Sequence, residues 1–127
     1  MKTANANRPA RVAERVKQEL MRLLLKGELR DPGAGGVYVS SVRVTADLKL
    51  ARVYIRLTEG GADEEKKEAA VRAMKRAGGY LRRRLAPGLA LKHLPELMFL
   101  WDEQVDRAAR VEQLFEEIGR EQREREQ

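Results

Sequence analysis

The stretch Val71-Arg72-Ala73-Met74-Lys75-Arg76-Ala77-Gly78-Gly79-Tyr80-Leu81-Arg82-Arg83-Arg84-Leu85 carries two opposed signals. From Glu64 to Leu85 the apolar positions Ala70, Met74, Ala77, Leu81 and Leu85 recur every three or four residues, the spacing of one buried helical face. Gly78 and Gly79 interrupt that helix without disturbing its phase. Each glycine inside a helix costs about 1 kcal/mol relative to alanine, a large share of a small domain's stability. Two explanations fit such a cost: the helix bends into two at Ala77-Gly78-Gly79, or something approaches its backbone more closely than a Cβ permits. Arg72, Lys75, Arg76, Arg82, Arg83 and Arg84 crowd the break, so a partner approaching there is expected to be anionic.

Upstream, Asn7 and Arg8-Pro9 open a first helix and Gly27 lies near its end, with proline preformed for the first turn. Val12, Ala13, Val16, Leu20, Leu23 and Leu24 form its core stripe, while Arg8, Arg11, Arg15, Arg22 and Lys26 share a second arc about 60° wide. Glu19 stands at the edge of that arc. Asp31-Pro32 and Gly33, Gly35 and Gly36 compose a loop. Val37 to Thr45 then alternates as a strand whose parity slips once, which predicts a bulge near Ser40-Ser41. After a turn at Asp47-Leu48-Lys49, Ala51, Val53, Ile55 and Leu57 alternate with Arg52, Tyr54 and Arg56, a half-buried strand with a solvated outer face.

Downstream, Gly60-Gly61 and Asp63 lead into the interrupted helix and Pro87-Gly88 is expected to stop it. Leu97 to Trp101 reads as a third strand. Val111, Leu114, Phe115 and Ile118 give one more helical stripe, and the apolar-free stretch after Gly119 reads as a charged, disordered tail. The order α, β, β, broken α, β, α predicts one α+β domain with a three-stranded sheet and helices on one face, the type II KH arrangement. The organisation expected is a flexible N-terminus at 1–7, a KH-like domain at 8–118 that includes the C-terminal helix, and a charged tail at 119–127. A KH domain places Gly-X-X-Gly at the helix junction, where backbone clamps single-stranded nucleic acid. Here the junction is Ala77-Gly78-Gly79, and the one Gly-X-X-Gly, Gly33 to Gly36, precedes the first strand.

Charge fits a nucleic-acid partner and, equally, a merely solvated basic surface. The chain has 127 residues and a formal charge of +6. Residues 1–101 carry 21 basic against 11 acidic side chains, and residues 102–127 carry 5 against 9. A basic body with an acidic tail suits phosphate binding through counterion release. With no cysteine there is no disulfide, thiolate metal site or cysteine nucleophile. His93, the single histidine, adjoins Lys92 with no nucleophile recognisable beside it, and Glu64-Glu65 and Glu116-Glu117 point apart on a helix. No enzyme, cofactor or metal is therefore expected. No run approaches the roughly 18 apolar residues of a membrane span, and the start lacks a secretory signal, so the expected location is the cytoplasm.

The chain resembles bacterial ribosome-binding factor A over almost all of positions 8 to 118. The matching segments are Arg11-Val12-Ala13, Leu29-Arg30-Asp31-Pro32, the run from Val44 through Asp47-Leu48 to Ala51-Arg52-Val53-Tyr54, Ala77-Gly78-Gly79-Tyr80-Leu81-Arg82, and Leu94-Pro95-Glu96-Leu97-Met98-Phe99 with Asp102. In that family an Ala-X-Gly kink replaces Gly-X-X-Gly, matched here by Ala77 and Gly79. The resemblance implies binding to the free small ribosomal subunit, help in late maturation of its rRNA, and importance for growth in the cold. Arg8, Arg11, Arg15, Arg22, Lys26, Arg72, Lys75, Arg76, Arg82 and Arg83 are the candidate RNA-binding residues beside the kink. Tyr38 and Tyr54 are the aromatics expected to be exposed. A monomer is expected from so charged a surface. The competing reading is a protein-binding adaptor that docks through its last helix.

Overall fold

The computed structural model describes residues 7–59 and 63–126. Helix α1 (Arg8–Leu25) is followed by a 3-10 turn (Pro32–Ala34), strands β1 (Val37–Val44) and β2 (Leu50–Leu57), helices α2 (Glu64–Arg76) and α3 (Gly78–Leu89), strand β3 (Glu96–Trp101) and helix α4 (Gln104–Arg125). The sheet runs β1-β2-β3. β1 and β2 form an antiparallel hairpin, whereas β3 lies parallel to β2 because the helical pair α2 and α3 carries the chain back across the sheet. This is the type II KH-like α+β arrangement expected from the order of elements.

Alternation decides which face of the sheet is covered. Ala51, Val53 and Ile55 of β2 and Phe99 of β3 are buried against Val16, Leu20 and Leu23 of α1, Met74 of α2 and Leu81 and Leu85 of α3. The slip in β1 is a bulge: pairing shifts between Val39 and Ser41, leaving Ser40 over. Ser40 Oγ donates to Asp102 Oδ2 at 2.6 Å, so the extra residue ties the hairpin to the end of β3.

Several ends differ from the sequence expectation. Asn7 caps α1 through its carbonyl, which accepts from the Arg11 amide at 3.0 Å, and not through its side chain. Gly27 adopts φ +68° and allows the Glu28 amide to reach the Leu23 carbonyl, closing the helix. Asp63 caps α2 by accepting from the Lys66 amide at 2.9 Å; Gly60-Gly61 lies outside the described residues. Pro87 does not stop α3. It occupies the last turn at the cost of the bond a residue-87 amide would make to the Arg83 carbonyl, and the helix ends at Ala90 in the left-handed conformation.

Two further differences concern the C-terminal part. Arg56, expected on a solvated face, is buried. It donates to the Asp102 carbonyl at 3.0 Å, pairs with Asp106 at 2.9 Å and lies 5.0 Å from the centre of the Trp101 ring, because residues 102–106 fold over the end of β2. Its Nε is left without a partner among the described residues. Helix α4 runs on to Arg125 through the segment expected to be disordered, where Glu116 and Arg120, and Glu121 and Arg125, fall four apart, the spacing that supports an exposed helix. It buries no residue: Val111, Leu114, Phe115 and Ile118 are exposed, so that stripe is not part of the core.

Candidate nucleic-acid interface

The predicted break is present, at Ala77, which ends α2 and begins α3. The hydrogen-bond ladder continues across it, from the Ala77 amide to the Ala73 carbonyl at 3.1 Å and from the Leu81 amide to the Ala77 carbonyl at 2.8 Å. The two helices part company in what they pack on: α2 lies on the sheet and on the 3-10 turn, α3 on α1 and β3. Neither Gly78 nor Gly79 has a positive φ, so glycine is not there to reach a left-handed conformation. Space inside the domain does not demand it either. A Cβ at Gly78 would lie 3.8 Å from the Phe99 ring and one at Gly79 3.7 Å from an Arg83 guanidinium nitrogen, ordinary contacts both. Bare backbone at the exposed Gly79 thus serves nothing within the described residues.

The six cations of the break separate into distinct groups, since successive helical residues point about 100° apart. Arg84 turns toward the α1–β1 connection and pairs with Glu28 at 2.9 Å. Arg76 pairs with Asp31 at 2.7 Å. Arg82 turns the other way, donating to the Leu94 and Pro95 carbonyls at 2.8 and 3.1 Å. Carbonyl bonds hold that guanidinium in place without cancelling its charge. Arg72 has a loose 3.8 Å contact with Glu68. Lys75 and Arg83 are exposed and have no ion pair among the described residues, and Arg83 lies over Gly79. Lys75, Gly79 and Arg83, spaced at four residues on one exposed flank, form the centre of the candidate site.

The carboxylates confirm which cations are neutralised. The hydrogen bond from Arg84 holds the Glu28 carboxyl below its ordinary pKa, and that from Arg76, helped by the Gly33 amide, does the same for Asp31.

The basic row of α1 is exposed as expected but forms a strip, not a cluster around the break. Arg15 donates to the Gly88 carbonyl at 3.0 Å, near the far end of α3 from the break. Arg22 is paired with Glu19 at 2.7 Å. Arg8 lines a cavity of about 430 Å³ together with Lys49, Lys92, His93 and Arg82 and with the carboxylates of Asp47 and Glu96, while Lys26 stands at the other end of the 18-residue helix. Arg8 and Lys26 are therefore about 27 Å apart along its axis. Arg11 is exposed on the same flank. Sequence reasoning missed Lys49, Lys92 and His93, whose only common signal is spatial: the β1–β2 turn and the α3–β3 connection meet there. It also misplaced the aromatics. Tyr38 and Tyr54 are half-buried, and Tyr80 and Phe115 are the more exposed rings.

The fold is that of a KH-like RNA-binding domain in which an Ala-Gly-Gly helix break stands at the junction where a KH domain has its Gly-X-X-Gly loop. The ribosome-binding factor A family profile matches residues 8–115, and the chain belongs to that family. The ribosome-binding factor A of Brevibacillus brevis is 38% identical over 117 residues, covering 92% of this chain and 93% of the relative. That of Sorangium cellulosum is 40% identical over 111 residues, covering 87% and 88%. Among solved structures, crystalline ribosome-binding factor A from Thermus thermophilus superposes with a TM-score of 0.60 at 29% identity, over 72% of this chain and 93% of that one. A homology model of the Thermus thermophilus factor, as fitted into the cryo-EM map of a 30S complex with ribosome-binding factor A, matches with a TM-score of 0.52 at 28% identity, over 70% of this chain and 93% of that one.

Proposed function

We propose that this protein binds the free small ribosomal subunit through its rRNA, assists late maturation of that subunit, including processing of the rRNA, and matters most for growth in the cold. The observation that carries this reading is the exposed Gly79 backbone beneath Arg83, with Lys75 one turn away and no carboxylate paired with either cation among the described residues. A phosphate chain can lie directly on such a surface, since nothing projects from it and two unneutralised cations flank it. Family membership and the 30S complex of the Thermus relative support the same partner. Arg8, Arg11, Arg15 and Lys26 would extend the contact along α1, whereas Arg76 and Arg22 serve first as partners of Asp31 and Glu19.

Replacing Lys75 and Arg83 by glutamate tests this without touching an internal ion pair. The variant is expected to fold and to stay at the top of a sedimentation gradient on which the wild type travels with free small subunits. Co-sedimentation unchanged by the two glutamates would refute it. Deletion of the gene is expected to slow growth in the cold and to leave unprocessed small-subunit rRNA.

A second reading, a protein adaptor, is favoured by α4, whose stripe of Val111, Leu114, Phe115 and Ile118 faces solvent. On that reading removal of residues 108–127, which spares the Arg56–Asp106 pair, abolishes association with the subunit while the Lys75 and Arg83 changes leave it intact.

A further inference from the structure

The face of the sheet away from α1, α2 and α3 is covered at its Arg56 end by residues 102–106 and open at Arg43 and Arg52, and its open part has an arrangement that folding alone does not favour. Arg43 of β1 stands directly opposite Arg52 of β2, and Arg52 is in register with Met98 of β3. Both arginines are exposed, and neither side chain has a hydrogen bond or ion pair among the described residues. Like charges in direct cross-strand register repel, and an acidic residue at either position would turn the repulsion into attraction. The pair is relieved when an anion bridges the two guanidinium groups.

The adjoining row indicates which anion. Ser41, Tyr54 and Leu100 are in register across the three strands, so a phenol ring and a leucine lie one row, two residues, from the cations. Met98 beside Arg52 is 43% exposed. A row of cations next to a row of aromatic and apolar groups matches the alternation of phosphate and base in single-stranded nucleic acid. An acidic peptide would also answer the arginines, and binding to protein-free rRNA separates the two partners.

We infer that the open face of the sheet is a second RNA-binding surface, on which Arg43 and Arg52 hold the phosphates of a single-stranded segment and Tyr54 stacks on one of its bases. This rests on the reading of rRNA as the partner. Because the helix break and the open sheet face lie on different sides of the domain, the protein would hold two RNA segments at once.

The test compares wild type, Arg43→Gln/Arg52→Gln and Lys75→Gln/Arg83→Gln, each titrated with protein-free small-subunit rRNA and with free small subunits at several salt concentrations. The sheet variant is expected to fold, to bind both about tenfold more weakly at low salt, and to lower the slope of log K against log salt by about 1.4 to 1.8, the release expected for two phosphate contacts. Ultraviolet cross-linking of wild type to rRNA is expected to mark the peptide containing Tyr54. Unchanged affinity and slope in the sheet variant, with the Lys75 and Arg83 variant weakened, would overturn this second surface and leave the first. Weakened binding to subunits with unchanged binding to bare rRNA would also overturn it, since the partner of the face would then be a protein. Failure of wild type to bind rRNA at all would overturn both.

Discussion

Substituting Gly79 by alanine should move stability and RNA binding in opposite directions. Gly79 is helical with negative φ, and the added Cβ meets only the mobile end of Arg83 at 3.7 Å. The folded domain therefore accepts alanine, and the conformational freedom removed from the unfolded chain, together with the better helix propensity, should stabilise it by about 0.5–1 kcal/mol. For a chain of this length that raises Tm by roughly 2–6 °C. The same methyl group stands between bare backbone and an approaching phosphate. If it displaces one charge-assisted contact, the loss is about 1.5–3 kcal/mol, or roughly 10- to 150-fold in affinity for the small subunit. Thermal unfolding and filter binding on the same preparation read both effects. A variant that is more stable and binds as well as wild type would refute the idea that glycine is kept for an external ligand. A variant that is less stable would show that the domain itself needs the glycine.

Gly33 should respond in the opposite sense: a Cβ there lies 3.0 Å from the Ala69 carbonyl oxygen and 3.1 Å from the Ala73 Cβ, so Gly33→Ala pushes the 3-10 turn off α2 and is expected to destabilise by about 1–3 kcal/mol in urea titration. Arg56→Ala leaves Asp106 without its guanidinium and the Asp102 carbonyl without its donor; a loss of about 2–4 kcal/mol is expected, with α4 released to proteolysis ahead of the rest. Stability should fall in acid. Asp31, Glu28 and Asp47 are held below their ordinary values by hydrogen bonds from Arg76, Arg84 and Thr45 respectively. For Asp106 burial pulls upward, but Arg56 and Trp101 outweigh it and the net direction is also down. Carboxyls with depressed folded-state values stabilise above their unfolded values and lose that contribution as pH drops through the folded ones. The urea midpoint should therefore be level above about pH 5 and decline below about pH 4. A midpoint that stays level to pH 3 would contradict these pairings.

What the sequence made legible was local. Apolar spacing of 3.6 and 2 placed α1, the hairpin and the interrupted helix, and the parity slip located the bulge at Ser40, because each of those signals is contained in a short window. The fates of the arginines were not legible. Arg76 finds Asp31 across 45 residues and Arg84 finds Glu28 across 56, so neighbours in sequence have unlike electrostatic surroundings in space. Arg56 reads as outward by alternation and is buried because residues 102–106 cover the end of β2. The stripe of α4 was legible as a helical stripe, but spacing says only that a helix has an apolar side, not what that side meets, and here it meets solvent.

Salt dependence of binding to free small subunits tests the central claim most directly. If Lys75 and Arg83 lie on rRNA phosphates beside bare backbone, changing both to alanine should lower the slope of log K against log salt by about 1.4 to 1.8 and weaken binding at every concentration. Parallel lines for variant and wild type would mean that these cations touch no phosphate.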